Sequence, residues 1–478
     1  MYVRALTATV LAAAASQAEA QTLDAALQQT LTSDPQIAGA DALVQAAEAG
    51  VDINRSARLP AITLDARAQL QTNDPLYAAR RPGTLNLDVS FDLPLYTGGE
   101  LKWRIRSSVA ALAAERARHD ALVNMRLSAT ADRYASVYRD ERIEAARSSQ
   151  LSGVETLLTE TRARERVGAS TATDTLQAIA RLAASRARLS EARAMLTRSN
   201  EDLREITGSY ADAVEDPEPP TVPDRVIAEL PERLPNFPAI RFADARIAMA
   251  RADIRVARSD RAPKLYLSSA TQSGNNFAQG AANLPGFRTG LRVGLNFRIP
   301  LFQGGAPAAR VRQAEQALAN RQEDRRATEW QTIAQIRSQY AQLKALDATI
   351  PALAKALEAS RAALFGVRTE IKIGTRSSLD ALNAQEEVTQ AEIQLAQVRQ
   401  QRLGLAYAIL GTMGELSPGK PAARPGRAAM PLVAKVPVPI RIAAATLPGA
   451  KFDKFGLWVW KGSQTWSLKP GNRATQIV

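Results

Sequence analysis

The chain has 478 residues, room for two or three ordinary domains, and carries 61 Lys and Arg against 48 Asp and Glu, a net charge of +13. Those positive charges alternate with acids along helical stretches and aromatics are few (10 Phe, 9 Tyr, 5 Trp), which argues against nucleic acid as a partner and for solvated or groove-lining helix faces. Cysteine is absent, which excludes disulfides, thiol nucleophiles, Cys-type zinc sites and a lipid-modified N-terminal Cys.

Arg4 precedes an apolar run from Ala5 to Ala15, and Ala18-Glu19-Ala20 stands as a small-x-small site before Gln21, so residues 1–20 read as a cleaved secretory signal. The competing reading is an Ala-rich helix start. No later stretch reaches the roughly 18 apolar residues of a spanning helix, so membrane insertion would have to use strands. From Thr22 to about Arg58 the spacing is helical, with Leu23, Ala26, Leu27 and Leu31 leading into Ile37 to Ile53, and Pro60 ends it. A two-residue alternation follows, Ile62, Leu64, Ala66, Ala68 and Leu70 against Thr63, Asp65, Arg67 and Gln69, which predicts a strand with one apolar and one wet face. After a polar loop the pattern repeats, with Leu85, Leu87, Val89, Phe91, Leu93 and Leu95 opposite Asn86, Asp88, Ser90 and Asp92.

Thr97-Gly98-Gly99 opens a helical pattern that runs without proline to Val167, about 70 residues or roughly 105 Å. The chain then reverses at Val167-Gly168-Ala169-Ser170-Thr171-Ala172-Thr173-Asp174, where Gly supplies the positive φ that ends a helix and the Ser/Thr/Asp cluster caps the next. The return helix to Gly208 places Leu182, Leu189, Leu196 and Leu203 seven apart, the seam of a left-handed supercoil. A Pro- and acid-rich linker occupies 209–235.

The programme then repeats, so that residues 21–208 and 236–415 form two structural repeats, with a Pro/Gly/basic tail over 416–478. A helix over about 236–260 leads to strands at Leu265–Thr271 and Leu291–Leu301, and Leu93-Pro94-Leu95-Tyr96-Thr97-Gly98-Gly99 recurs as Ile299-Pro300-Leu301-Phe302-Gln303-Gly304-Gly305. A second long helix reaches Ile373, with Pro351 expected to kink it, and reverses at Gly374-Thr375-Arg376-Ser377-Ser378-Leu379-Asp380. The last helix, to about Glu415, carries Val388, Leu395 and Ile409 on its seam, which Arg402 interrupts. Each long helix is expected to be matched by two shorter ones in series, the helix ending at Gly208 continued by the one after the linker, and the final helix continued by the N-terminal one. Gly98, Gly99, Gly304 and Gly305 are the expected strand–helix hinges.

Four strands with one apolar face cannot close a membrane barrel, so the chain is expected to oligomerise: two copies give eight strands, three give twelve and a wet lumen. The alternative is a non-conducting periplasmic coiled-coil scaffold or adhesin. His119, the only histidine, lies inside the long helix and reads as a surface or groove residue, Glu386-Glu387 as a solvated face, and no catalytic motif occurs, so neither an enzyme nor a cofactor is expected.

The paired motifs Val-Gly-x5-Asp-x-Leu and Leu-Pro-Leu-Tyr-Thr-Gly-Gly, over about Thr22 to Glu415, resemble the TolC family of outer-membrane efflux and secretion channels. The resemblance implies a mainly α fold with a transmembrane β segment, closing as a homotrimer with a twelve-stranded β-barrel in outer-membrane lipid and an α-barrel across the periplasm. It also implies a periplasmic adaptor (membrane fusion) protein and an inner-membrane ABC or RND-type transporter as partners. By motif position Arg376 matches the family's gating arginine, Thr173 and Asp174 its partners in the other repeat, and Asp380 an aspartate of the ring that narrows the entrance. A second ring position holds Asn383, and Ile371 replaces a gate tyrosine, which implies a thinner latch and a less charged ring.

Overall fold

The computed structural model describes residues 21–70, 83–210, 213–275, 288–373, 375–416, 451–452 and 458–459. The signal segment, the strand-to-strand loops, Gly374 and almost all of the tail therefore lie outside the described residues. Residues 1–417 form one unit and 418–478 a second, whose described residues pair as β5 (Lys451–Phe452) with β6 (Trp458–Val459).

The expected single N-terminal helix is two, α1 (Leu23–Ser33) and α2 (Pro35–Ser56). Proline drives the residue before it into extended backbone, and Asp34 takes φ −67°, ψ 118° and caps α2. Four antiparallel strands follow in the order β1 (Ala61–Leu70), β2 (Gly83–Tyr96), β3 (Lys264–Asn275), β4 (Arg288–Arg298). Their register stacks Ile62 on Phe91, Leu64 on Val89, Leu93 on Leu267 and Leu295, and Leu265 on Phe297, so the apolar positions share one face. Thr63, Asp65, Ser90, Asp88, Gln272 and Arg292 fall on the other. Ile299 to Leu301, expected in the last strand, lie beyond it.

The two long helices, α3 (Glu100–Arg166) and α8 (Ala306–Lys372), have 67 residues each, about 100 Å. α8 passes through Pro351 without ending. Their return partners, α4 (Ala172–Thr207) and α9 (Ser378–Met413), have 36 residues each, and α7 (Pro238–Ser259) and α2 have 22 each. The serial pairing expected from sequence is wrong. α4 ends against α1, where Ser33 Oγ donates to the Thr207 carbonyl at 2.6 Å, and so stands below α2. α9 ends against α7, with Ile409 and Met413 packed on Phe237 and Ile240. The wall is therefore ordered α2-α3-α7-α8 near the strands and α4-α3-α9-α8 away from them. The linker makes this exchange. It pairs with the N-terminus (Gln21 N to Ala213 O, 2.8 Å), then forms two one-turn helices, α5 (Arg225–Ala228) and α6 (Leu230–Arg233), and buries Val222, Val226, Leu230 and Leu234 on Ile336, Leu343, Ala406 and Ile409. Tyr134, fully buried, donates to the Gln21 and Glu215 carbonyls at 2.5 and 3.0 Å, and burial pushes its phenol up to about 12.

The supercoil seams are wider than leucines alone suggest. On α4, Leu189 and Leu203 are buried as expected, but so is a second row seven apart, Ala178, Ser185, Ala192, Ser199 and Ile206. Its small side chains let α4 lie close against α3. On α8 the seam is Ile336, Leu343, Ile350, Leu357, Leu364 and Ile371, packing against α9. Arg402, out of place on the α9 seam, is met by Asp347 of α8 at 2.6 Å.

Candidate functional site at the helix reversals

α3 ends in a Schellman turn: Gly168 takes φ +73°, its N–H donates to Glu165 O at 3.0 Å, and Ala169 N–H donates to Arg164 O at 2.8 Å. The second reversal repeats the outer bond, Thr375 N–H to Glu370 O at 3.0 Å, around Gly374, which is not among the described residues. Each following helix opens with a capping box. Thr171 Oγ1 accepts from Asp174 N–H at 3.1 Å while Asp174 Oδ2 accepts from Thr171 N–H and Ser170 Oγ, both at 3.0 Å. Ser377 and Asp380 reproduce it, at 3.3 Å for the Asp380 N–H and 3.1 Å for the Ser377 N–H. The Thr171 backbone N–H first, then the Thr171 and Ser170 hydroxyls, hold Asp174 below the usual carboxylate range.

Beneath these exposed turns the two hairpins share an apolar core. Val154, Leu157 and Leu158 of α3 and Ala178 of α4 meet Ile371 of α8 and Ala381 and Leu382 of α9. Ile371, at the expected gate-tyrosine position, is thus a core residue, 4 % exposed. Arg376 pairs with Glu370 of its own hairpin (Nε to Oε2, 2.9 Å), both half exposed. Within the chain Arg376 and Asp174 are each engaged inside their own hairpin, Thr173 is exposed on the first turn of α4, and Asn383 is exposed on α9 three residues beyond Asp380.

One polar junction was missed from sequence. Glu386, read there as solvated, sits where three helices meet: it accepts from Arg188 of α4 at 2.6 Å and from Gln150 of α3, with Arg147 of α3 at 3.5 Å. Burial opposes its ionisation, but the hydrogen bonds from Gln150 and Arg188 and the charges of Arg188 and Arg147 outweigh that and hold its pKa below the ordinary value. The available signal was its place two residues before the seam residue Val388, too close to a buried stripe for free solvation. Between strand and long helix, Gly98 (φ 62°), Gly99 (83°), Gly304 (56°) and Gly305 (81°) all take positive φ.

A four-stranded sheet with one apolar face, unpaired at both edges among the described residues and carried on helices of about 100 Å, defines a channel-type chain whose β end enters a membrane. The outer membrane efflux protein family model matches residues 26–209 and 230–414, and the chain belongs to that family. It is 26 % identical to the outer membrane efflux protein BepC of Brucella suis, over 86 % of this chain and 89 % of that protein. It is 27 % identical to the outer membrane protein TolC of Vibrio cholerae, over 81 % and 90 % respectively. The solved outer membrane protein VceC of Vibrio cholerae matches with TM-score 0.67 at 20 % identity, over 82 % of this chain and 96 % of that one. The protein is a TolC-like outer-membrane channel of a Gram-negative bacterium.

Proposed function

We propose that three copies of this chain close a twelve-stranded barrel in the outer membrane and a continuous α-barrel below it, forming the passive exit duct of a tripartite secretion or efflux system. The observation that carries this reading is the open sheet: β1 and β4 each keep a free edge, and Ile62, Leu64, Val293, Leu295 and Phe297 stand more than 60 % exposed on one face. Lipid tolerates neither free edges nor wet strands on its side, so identical neighbours are the natural closure. An inner-membrane transporter of the ABC or RND type, reached through a periplasmic adaptor, supplies the energy, and the chain itself performs no chemistry.

The duct is gated at the reversals. Arg376 of one protomer exchanges its exposed partner Glu370 for Asp174 and Thr173 of a neighbour, while Asp380 and Asn383 narrow the entrance as rings. A guanidinium binds a carboxylate bidentately, and an exposed pair of this kind is weak enough to break when a partner docks. The test is single-channel recording in planar bilayers with Asp174→Asn and Arg376→Gln, each expected to raise the resting conductance. Unchanged conductance in both would remove the latch, and absence of channels altogether would remove the duct.

A further inference from the structure

The first turns below the sheet carry a cluster that conduction and gating leave unused. Trp103, in the first turn of α3, has three cations around its ring: Arg106 at 5.0 Å, Arg255 of α7 at 5.6 Å and Lys102 at 5.7 Å from the centroid. Its side of the wall follows from the same turn. Glu100 and Leu101 share a recess with Asp92, Pro94 and Tyr266, which occupy the polar, lumen-side face of the sheet. At 100° per residue, Lys102 and Arg106 then point away from the lumen, with Trp103 between them and α7. On α7, Arg251, Arg255 and Arg258 recur one and two turns apart on one stripe, all exposed. Arg258 is paired with Glu315 at 2.9 Å, whereas Lys102, Arg106, Arg251 and Arg255 have no described carboxylate within ion-pair distance. Glu100, the acid of this turn, faces inward and is held by Lys264 at 2.5 Å and Arg104 at 2.6 Å.

We infer that this patch is a binding site for the phosphate headgroup of an anionic phospholipid in the periplasmic leaflet of the outer membrane. Three observations converge on that occupant. Lys102, Trp103 and Arg106 lie in the first two turns of α3 and Arg255 one turn from the end of α7, at the sheet end of both helices, where a headgroup layer bordering the hydrocarbon core would sit. The patch's four cations, none beside a described carboxylate, complement the charge of a phosphate. It also lies on α3 and α7, the two middle helices of the wall, so subunit closure along α2 and α8 leaves it uncovered. An indole at that depth anchors the interface, and unpaired guanidinium groups beside it supply the bidentate donors a phosphate needs. The inference rests on the membrane orientation proposed above.

The test uses the full-length protein purified in detergent, with native mass spectrometry of retained phosphatidylglycerol against phosphatidylcholine, and planar-bilayer recording from the same preparation. Each cation near an anionic surface is worth roughly a fivefold gain in affinity, so wild type should prefer phosphatidylglycerol and Arg106→Gln with Arg255→Gln should lose about 25-fold of that preference. Arg198→Gln on exposed α4 should leave it unchanged. Equal retention of the two lipids by wild type, or an unaltered preference in the double variant, would overturn the site while conductance shows the channel intact. Displacement of phosphatidylglycerol by an equal concentration of inorganic phosphate would mark a free-anion site and overturn the lipid assignment. Failure to form channels would overturn the site and the orientation beneath it together.

Discussion

Glu386→Gln removes the one charge shared by α3, α4 and α9 just above the reversals. Glu386 and Arg188 are 31 % and 40 % exposed, so solvent screens their 2.6 Å pair to under about 1 kcal/mol. Gln150, 3 % exposed, donates to that carboxylate and would keep only a weaker amide acceptor, a loss of about 1 kcal/mol, while Arg147, bonded to Gln150 at 2.9 Å, stands 3.5 Å from Glu386 as an ion pair alone. Together the change should weaken the junction by about 1–2 kcal/mol, a 5- to 30-fold rise in local opening. Amide hydrogen exchange on the detergent-solubilised protein should show that acceleration in peptides spanning 378–395 and 147–158, with α2 and α7 unaffected. If the three coils must part for the duct to open, resting conductance rises in the same variant. The pH dependence has a definite sign. A Glu whose folded pKa lies below its ordinary 4.5 contributes stability that is present above 4.5 and lost as pH falls through the lower folded value, so acid should reproduce the variant's exchange pattern in wild type. Unchanged exchange at both peptides, or acceleration spread evenly over all helices, would refute the junction.

The hinge glycines should separate by environment. A Cβ on Gly98 would stand 2.2 Å from that of Ala262, so Gly98→Ala should abolish heat-modifiable oligomer, whereas Gly304→Ala meets nothing within 4 Å and should cost only about 1 kcal/mol of left-handed strain. Asp34 is fully buried, caps α2 through Gln36 N–H at 2.7 Å and accepts from Arg126 Nε at 2.5 Å, so Asp34→Ala should destabilise the chain by about 3–5 kcal/mol, measured as a fall in the thermal midpoint. His119 lies 2.9 Å from Asp41 and 3.6 Å from Asp120, and its hydrogen bond to Asp120 first, then the charges of Asp41 and Asp120, raise its pKa against burial. Its stabilisation is therefore complete below pH 6.5 and lost as pH rises through the higher folded value, so midpoints compared at pH 6 and pH 8.5 should fall less in His119→Gln than in wild type.

Much of this architecture is written in local chemistry. Alternation at Leu85 to Leu95 determines a half-wet strand because its side chains take opposite faces, Gly168 with Thr171 and Asp174 determines a reversal because only glycine enters positive φ freely and only short polar side chains cap the next turn, and the seven-residue spacing of Leu189 and Leu203 determines a supercoil seam. What local chemistry leaves open is which element meets which. A helix end at Thr207 carries no mark of its continuation, and packing of the linker on Ile336 and Ile409, residues more than a hundred positions away, decides that α4 stands under α2 and α9 under α7. The same distance hid Glu386: a carboxylate on a helix looks solvated until two other helices bring Gln150 and Arg188 to it, since its partners are set by the fold and not by its neighbours in the chain.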